Sequence, residues 1–123
     1  MVRGDTRTLG DAVERLVCKY LEERGLELLE RNYRCRHGEI DLVMLDHDCL
    51  VFVEVRFRSK GTFSSAAATV DWRKQNKIIR TAEMYLAARP GCANKAARFD
   101  VVGVDGRASG NPSVEWIRDA FTA

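Results

Sequence analysis

Apolar positions Val13, Leu16, Val17, Tyr20 and Leu21 recur at helical spacing between about Gly10 and Arg24, and Gly25 supplies a stop. An amphipathic helix is predicted there, preceded by a polar, frayed segment over residues 1–9. Leu26 to Arg34 (LELLERNYR) reads as a first strand whose alternation is interrupted by Glu and Arg. From Gly38 to Arg58, in GEIDLVMLDHDCLVFVEVRFR, two apolar runs rich in β-branched residues flank the turn signal Asp46-His47-Asp48, which predicts an antiparallel hairpin. A second helix follows from about Val70 to Arg89, with Trp72, Gln75, Ile78, Ile79, Ala82, Tyr85 and Leu86 on one stripe and Pro90-Gly91 ending it. Arg98 to Val104 (RFDVVGV) is a fourth strand, and its connection through the helix implies parallel pairing with the hairpin's second strand by a right-handed crossover. Asp105 to Pro112 is rich in turn residues, and Val114 to Ile117 forms a short fifth strand, with Trp116 and Phe121 in the core. The expected class is α/β, a single domain over residues 10–121 with a mixed sheet flanked by helices in the order α-β-β-β-α-β.

The hairpin organises the rest. If its loop is His47-Asp48, Asp41 faces Glu54 and Glu39 faces Arg56, all four on one side of the strand pair with Val43, Leu45, Leu50 and Phe52. Ile40, Leu42 and Met44 then oppose Val55, Val53 and Val51 on the other side, so the hairpin needs cover on both faces. A three-residue loop would instead put Asp41 opposite Val53, on the face away from Glu54. Three carboxylates and one guanidinium at one end of such an element repel unless compensated. One reading is a Glu39–Arg56 salt bridge with Asp41 and Glu54 at a wet edge; the other is a divalent cation between Asp41 and Glu54. Oxygen-only ligands favour Mg²⁺ or Mn²⁺ over zinc.

Charge distribution adds a partner to this picture where the net charge of +2 does not. Arg31, Arg34 and Arg36 precede the hairpin, Arg56, Arg58 and Lys60 follow it, and Arg73, Lys74, Lys77 and Arg80 open the second helix. Basic groups flanking an acidic site suit a phosphate backbone laid across a metal, although a basic helix surface is also an ordinary solvated face. Cys18, Cys35, Cys49 and Cys92 show no CxxC spacing, and no targeting signature opens the chain, so reduced thiols and a cytoplasmic location are expected. Cys35 and His37 enter one strand while His47 and Cys49 lie at the hairpin tip, on the order of 25 Å away at ~3.3 Å per residue, so they do not share a zinc ion. No apolar run reaches the ~18 residues of a membrane helix.

Three further features carry two readings each. Glu14, beside the first helix stripe, is either a solvated flank or a group reaching into a site beneath the helix. Residues 59–69 (SKGTFSSAAAT), with Phe63 as the lone aromatic, form either a plain connection or a substrate clamp. Gln75 either makes backbone hydrogen bonds or contacts phosphate.

Glu14, the GEID of residues 38–41, the VEVR of residues 53–56, the pair Lys74-Gln75 and RFDVV at 98–102 together resemble the bacterial YraN-type family of nuclease-like proteins, over about residues 10–118. That family looks like part of the PD-(D/E)xK restriction-endonuclease-like superfamily and is similar to archaeal Holliday junction resolvases in its αβββαβ layout. The resemblance implies a phosphodiesterase site in which Asp41, Glu54 and Glu14 hold one or two Mg²⁺ or Mn²⁺ ions, Arg56 stands at the position of the usual lysine, and Gln75 is the polar residue of the second helix. It implies a DNA substrate, branched DNA included, met by phosphate contacts from Arg34, Arg36, Arg58, Lys60, Arg73, Lys74 and Lys77, and a homodimer, because a junction resolvase needs two active sites.

Arg56 departs from the pattern. A guanidinium keeps the positive charge and binds phosphate but cannot serve as a base, which leaves Lys74 as the candidate amine. The expected function is a metal-dependent endonuclease acting on structured or damaged DNA in recombination or repair. The competing readings are a nucleic-acid-binding module without catalysis and an interaction protein whose hairpin charges form a salt-bridge network.

Overall fold

The computed structural model describes residues 5–59, 69–106 and 112–123, with side chains from residue 9 onward except that of residue 59. Helix α1 (Asp5–Glu22) leads into strands β1 (Glu27–Cys35), β2 (Gly38–Asp46) and β3 (Cys49–Ser59); helix α2 (Trp72–Ala87) and a short 3-10 turn (Pro90–Cys92) precede β4 (Ala96–Gly106) and β5 (Ser113–Phe121). The sheet order is β1-β2-β3-β4-β5, with β3 and β4 parallel and every other pair antiparallel. A mixed sheet between two helices is the arrangement expected of a restriction-endonuclease-like core. No helix of the described residues is long and apolar enough to cross a membrane.

Each helix covers one face. Val13, Val17, Cys18 and Leu21 of α1 pack on Leu42, Met44, Val51, Val53, Val102 and Val104. Ile78, Ala82 and Tyr85 of α2 pack on Ile40, Val43, Leu50, Phe52, Phe99 and Val101. The central strands β3 and β4 are therefore apolar on both faces, as burial between two helix layers requires.

α1 begins at Asp5, earlier than the expected start near Gly10. Asp71 caps α2: its side chain accepts from the Lys74 backbone N–H at 3.0 Å, so the helix starts at Trp72 rather than Val70. Trp72, expected on the core stripe, is 69% exposed, and Val70 just before the cap fills the core instead. β5 runs on to Phe121 because buried Asp100 on β4 holds it: the carboxylate accepts from Arg98 Nε at 3.0 Å, Trp116 Nε1 at 2.9 Å and the Asp119 backbone N–H at 2.9 Å. Trp116 packs at the edge of the α1 core and Phe121 at the edge of the α2 core, as expected.

A candidate metal centre at the end of the hairpin

The loop is the two residues His47 and Asp48, with His47 left-handed at φ 57, and β2 pairs with β3 in the predicted register from Leu42↔Val53 to Asp46↔Cys49. At Asp41 the regular alternation breaks. Leu42 and Met44 face α1, yet Ile40 packs on the α2 side, contrary to the period-two expectation. On the neighbouring strand Asn32, between the partners of Leu42 and Ile40, has φ 53, the left-handed conformation that asparagine tolerates better than most residues. Beside this kink Ile40 lies in the α2 core, and the acids that flank it cluster with Glu14 of α1.

The result is a group of three carboxylates, Glu14 from α1 with Glu39 and Asp41 from β2, whose ligand oxygens all lie within 4.8 Å of one another. With its amide nitrogen toward the acids, Asn32 donates to Glu39 Oε2 and Glu14 Oε1, both at 3.2 Å. Asp41 is fixed from the other side by the Val55 backbone N–H, which donates to its Oδ2 at 2.9 Å. Gly38 makes the approach of this turn to α2 feasible: it has φ 151, and a Cβ there would meet Thr81 Oγ1 at 3.2 Å.

Glu54, 6% exposed, stands on the other side of Asp41. Burial, then the neighbouring Asp41 charge, push its carboxyl up to about 7 against the pull of Lys74 and Arg56. Burial also raises the Asp41 carboxyl, with the Val55 hydrogen bond opposing, and it raises that of Glu14, reinforced by the Asp41 charge. The cations nearby sit beyond good hydrogen-bonding range: Arg31 is 3.8 Å from Glu14, Arg56 Nε 3.5 Å and Lys74 Nζ 3.8 Å from Glu54. Arg56 Nε, buried, makes no hydrogen bond. Clustered oxygen donors, raised carboxyl pKa values and loosely held counter-charges are a donor set that fits a hard divalent cation.

Asp41 thus stands between Glu14 on one side and Glu54 on the other, and Lys74 approaches Glu54. The Glu39–Arg56 bridge does not form. Glu39 pairs with Arg34 at 3.4 Å, while Arg56 turns to Glu54 and donates to the Thr69 carbonyl at 3.2 Å. Glu39 and Asn32 are the site residues that the sequence reading missed, the first because regular alternation gave it to Arg56 and the second because its role rests on a backbone kink. Gln75 donates to the Val70 carbonyl at 2.9 Å, the backbone role weighed for it. Arg34, Arg36, Lys74 and Lys77 line one shallow groove with Gly38 and Glu39. Arg73 lies exposed one residue before Lys74 in α2. Arg58, on the central strand β3, lies 3.4 Å from Glu115 of β5 and is not among the residues that line this groove. Lys60 and Phe63 lie outside the described residues. All four cysteines are free thiols, and among the described residues no cysteine or histidine joins a metal-binding group.

The model of Uncharacterised protein family UPF0102 matches residues 13–104. A UPF0102 protein of Nitrosococcus oceani is 48% identical over 94% of this chain and 92% of its own length. One from Pseudomonas putida is 43% identical over 91% of each chain, and one from Pseudomonas syringae 39% over 98% of each. Among solved structures, that of Pyrococcus furiosus SfsA in complex with Ca²⁺ is similar at 15% identity and a TM-score of 0.38, over 93% of this chain and 64% of that one. The matched span takes in Glu14, the hairpin, α2 and most of β4, and the chain belongs to family UPF0102, the YraN-type family.

Proposed function

We propose that this chain is a metal-dependent endonuclease that hydrolyses phosphodiester bonds in structured or damaged DNA, with Mg²⁺ or Mn²⁺ as cofactor. One observation carries the reading: three carboxylate oxygens within 4.8 Å of one another at the mouth of a basic groove. Glu14, Glu39 and Asp41 would hold the ion, with Glu54 beside Asp41 as a further donor. Bound there, a divalent ion supplies Lewis-acid polarisation of a phosphodiester and activation of water. Arg56 and Lys74 offer positive charge to a phosphate at the site, the first as a planar guanidinium fork on β3 and the second as a compact ammonium on α2. Arg34, Arg36, Arg73 and Lys77 contribute phosphate contacts that position a strand without reading its sequence. A four-way junction substrate would call for two such sites and hence a homodimer, and four free thiols suit a cytoplasmic protein.

The test is cleavage of labelled single-stranded, duplex, flap and four-way-junction DNA, and of RNA, with Mg²⁺ or Mn²⁺, comparing the wild type with the Asp41→Asn/Glu54→Gln double variant. Cleavage that disappears in the variant is the expected result. Binding without cleavage in both proteins under every metal condition would replace the enzyme by a binding module on the same scaffold.

A further inference from the structure

Among the described residues Trp72 is the most exposed of the large apolar side chains at 69%, and it stands in the first turn of α2 beside the β1–β2 turn. An indole held in water at that position has apolar surface whose burial against a ligand would be favourable. What surrounds it is not apolar: Arg36, Arg73, Lys77 and Arg80, with Asn76 and His37, line the same shallow depression. The four cations are exposed, and among the described residues none of them enters an ion pair. Arg36, His37 and Lys77 also line the adjoining groove that ends at Glu39 and Lys74, so the two depressions form one path from Trp72 to the carboxylates.

An exposed indole ringed by unpaired cations, on a path to a phosphodiester-binding site, has the chemistry of a base-stacking platform: the ring takes the flat face of a base and the cations take the flanking phosphates. A protein partner with an acidic surface would also meet the cations, but cations strung along a path from an indole to a phosphodiester-binding site match the alternation of base and phosphate along a strand. A closed duplex hides its base faces in the stack. We infer that Trp72 stacks on an unpaired base of the substrate, with Arg36, Arg73 and Lys77 holding the adjoining phosphates, so that the site takes DNA carrying a single-stranded segment. The inference rests on the nuclease reading and narrows its substrate.

The experiment measures binding in chelator, free of turnover, to a single-stranded oligonucleotide and to a blunt duplex of equal length, for the wild type, Trp72→Ala, Trp72→Phe and Arg73→Gln/Lys77→Gln. Trp72→Ala is expected to weaken single-strand binding about 10-fold or more and duplex binding less than about 2-fold, whereas Trp72→Phe retains most of the affinity. Arg73→Gln/Lys77→Gln weakens both substrates and flattens the salt dependence. Equal losses on both substrates, or none for Trp72→Ala with melting temperature unchanged, would overturn the stacking role and leave the nuclease reading standing. A wild type that binds an acidic polypeptide and neither nucleic acid would remove both.

Discussion

Lys74 Nζ lies 3.8 Å from Glu54 Oε2, so an amine carried by helix α2 reaches a strand whose own basic residue at the site is Arg56. The two cations approach Glu54 from different elements and differ in shape: the guanidinium is a rigid planar fork, while the ammonium is a compact point charge on a flexible stem.

Lys74→Met removes a charge placed to stabilise the transition state and is therefore expected to slow cleavage by about 100-fold or more while changing Mn²⁺ affinity only a few-fold. Single-turnover cleavage and calorimetric titration measure the two effects separately. Arg56→Lys should cleave faster than the wild type. An unchanged rate in Lys74→Met would limit this amine to neutralising Glu54.

Metal binding should follow the carboxylate group and not the register of the hairpin alone. Glu39→Gln and Glu14→Gln are each expected to weaken Mn²⁺ binding by about 10-fold or more, read by titration calorimetry or by the metal-induced rise in melting temperature. Asp41→Asn should do the same while the fold persists, because the amide oxygen can still accept from Val55. If Glu39→Gln binds as the wild type does, the ion sits between Asp41 and Glu54 alone.

Stability without metal should fall as pH rises. The Glu54 carboxyl titrates at about 7 in the folded chain against an ordinary 4.5, so the folded state binds the proton more tightly than the unfolded one. Its ionisation costs nothing below about pH 4.5, accumulates as pH climbs, and is fully felt above about 7. Glu14 and Asp41, also raised, act in the same direction. In chelator, Glu54→Gln should therefore melt at about the wild-type temperature at pH 4.5 and a few degrees higher at pH 8, on the order of 1 kcal/mol. Added Mg²⁺ should reverse that order at pH 8. A variant less stable than the wild type in chelator at pH 8 would mean that Arg56 and Lys74 outweigh burial.

Asp100→Asn tests the clamp on β5. The buried carboxylate accepts from Arg98, from the Trp116 indole and from the Asp119 backbone, so an amide in its place leaves a buried donor facing donors. A loss of about 2–4 kcal/mol is expected, with red-shifted Trp116 emission followed in a Trp72→Phe background. Metal affinity should hold in the folded protein, since Asp100 lies outside the carboxylate group.

Much of this was readable in the residues. The turn residues at 46–48 and the apolar runs beside them determine the hairpin register, and the length of the β3–α2–β4 connection determines its parallel sense. The site's membership was partly hidden because period-two alternation assumes an unbroken strand. The left-handed backbone at Asn32 and the departure of Asp41 from the ladder send Ile40 to the opposite face from Leu42, and no spacing rule encodes that. Trp72 misled the helix stripe for a different reason: it lies two turns before Ile78, where Val70 has already closed the core, so the stripe runs past the apolar layer into water.

The kink at Asn32 has a counterpart across the sheet. β1 and β5 are its two margins, and each carries a residue with φ 53 in or near its middle, Asn32 and Asp119, with a register shift beside each pairing, between Leu28 and Glu30 and between Phe99 and Val101. An incoming strand needs a straight row of amides and carbonyls to zip against, and neither margin offers one. Left-handed residues in the two margins are the kind of irregularity that disfavours edge-to-edge pairing with another chain.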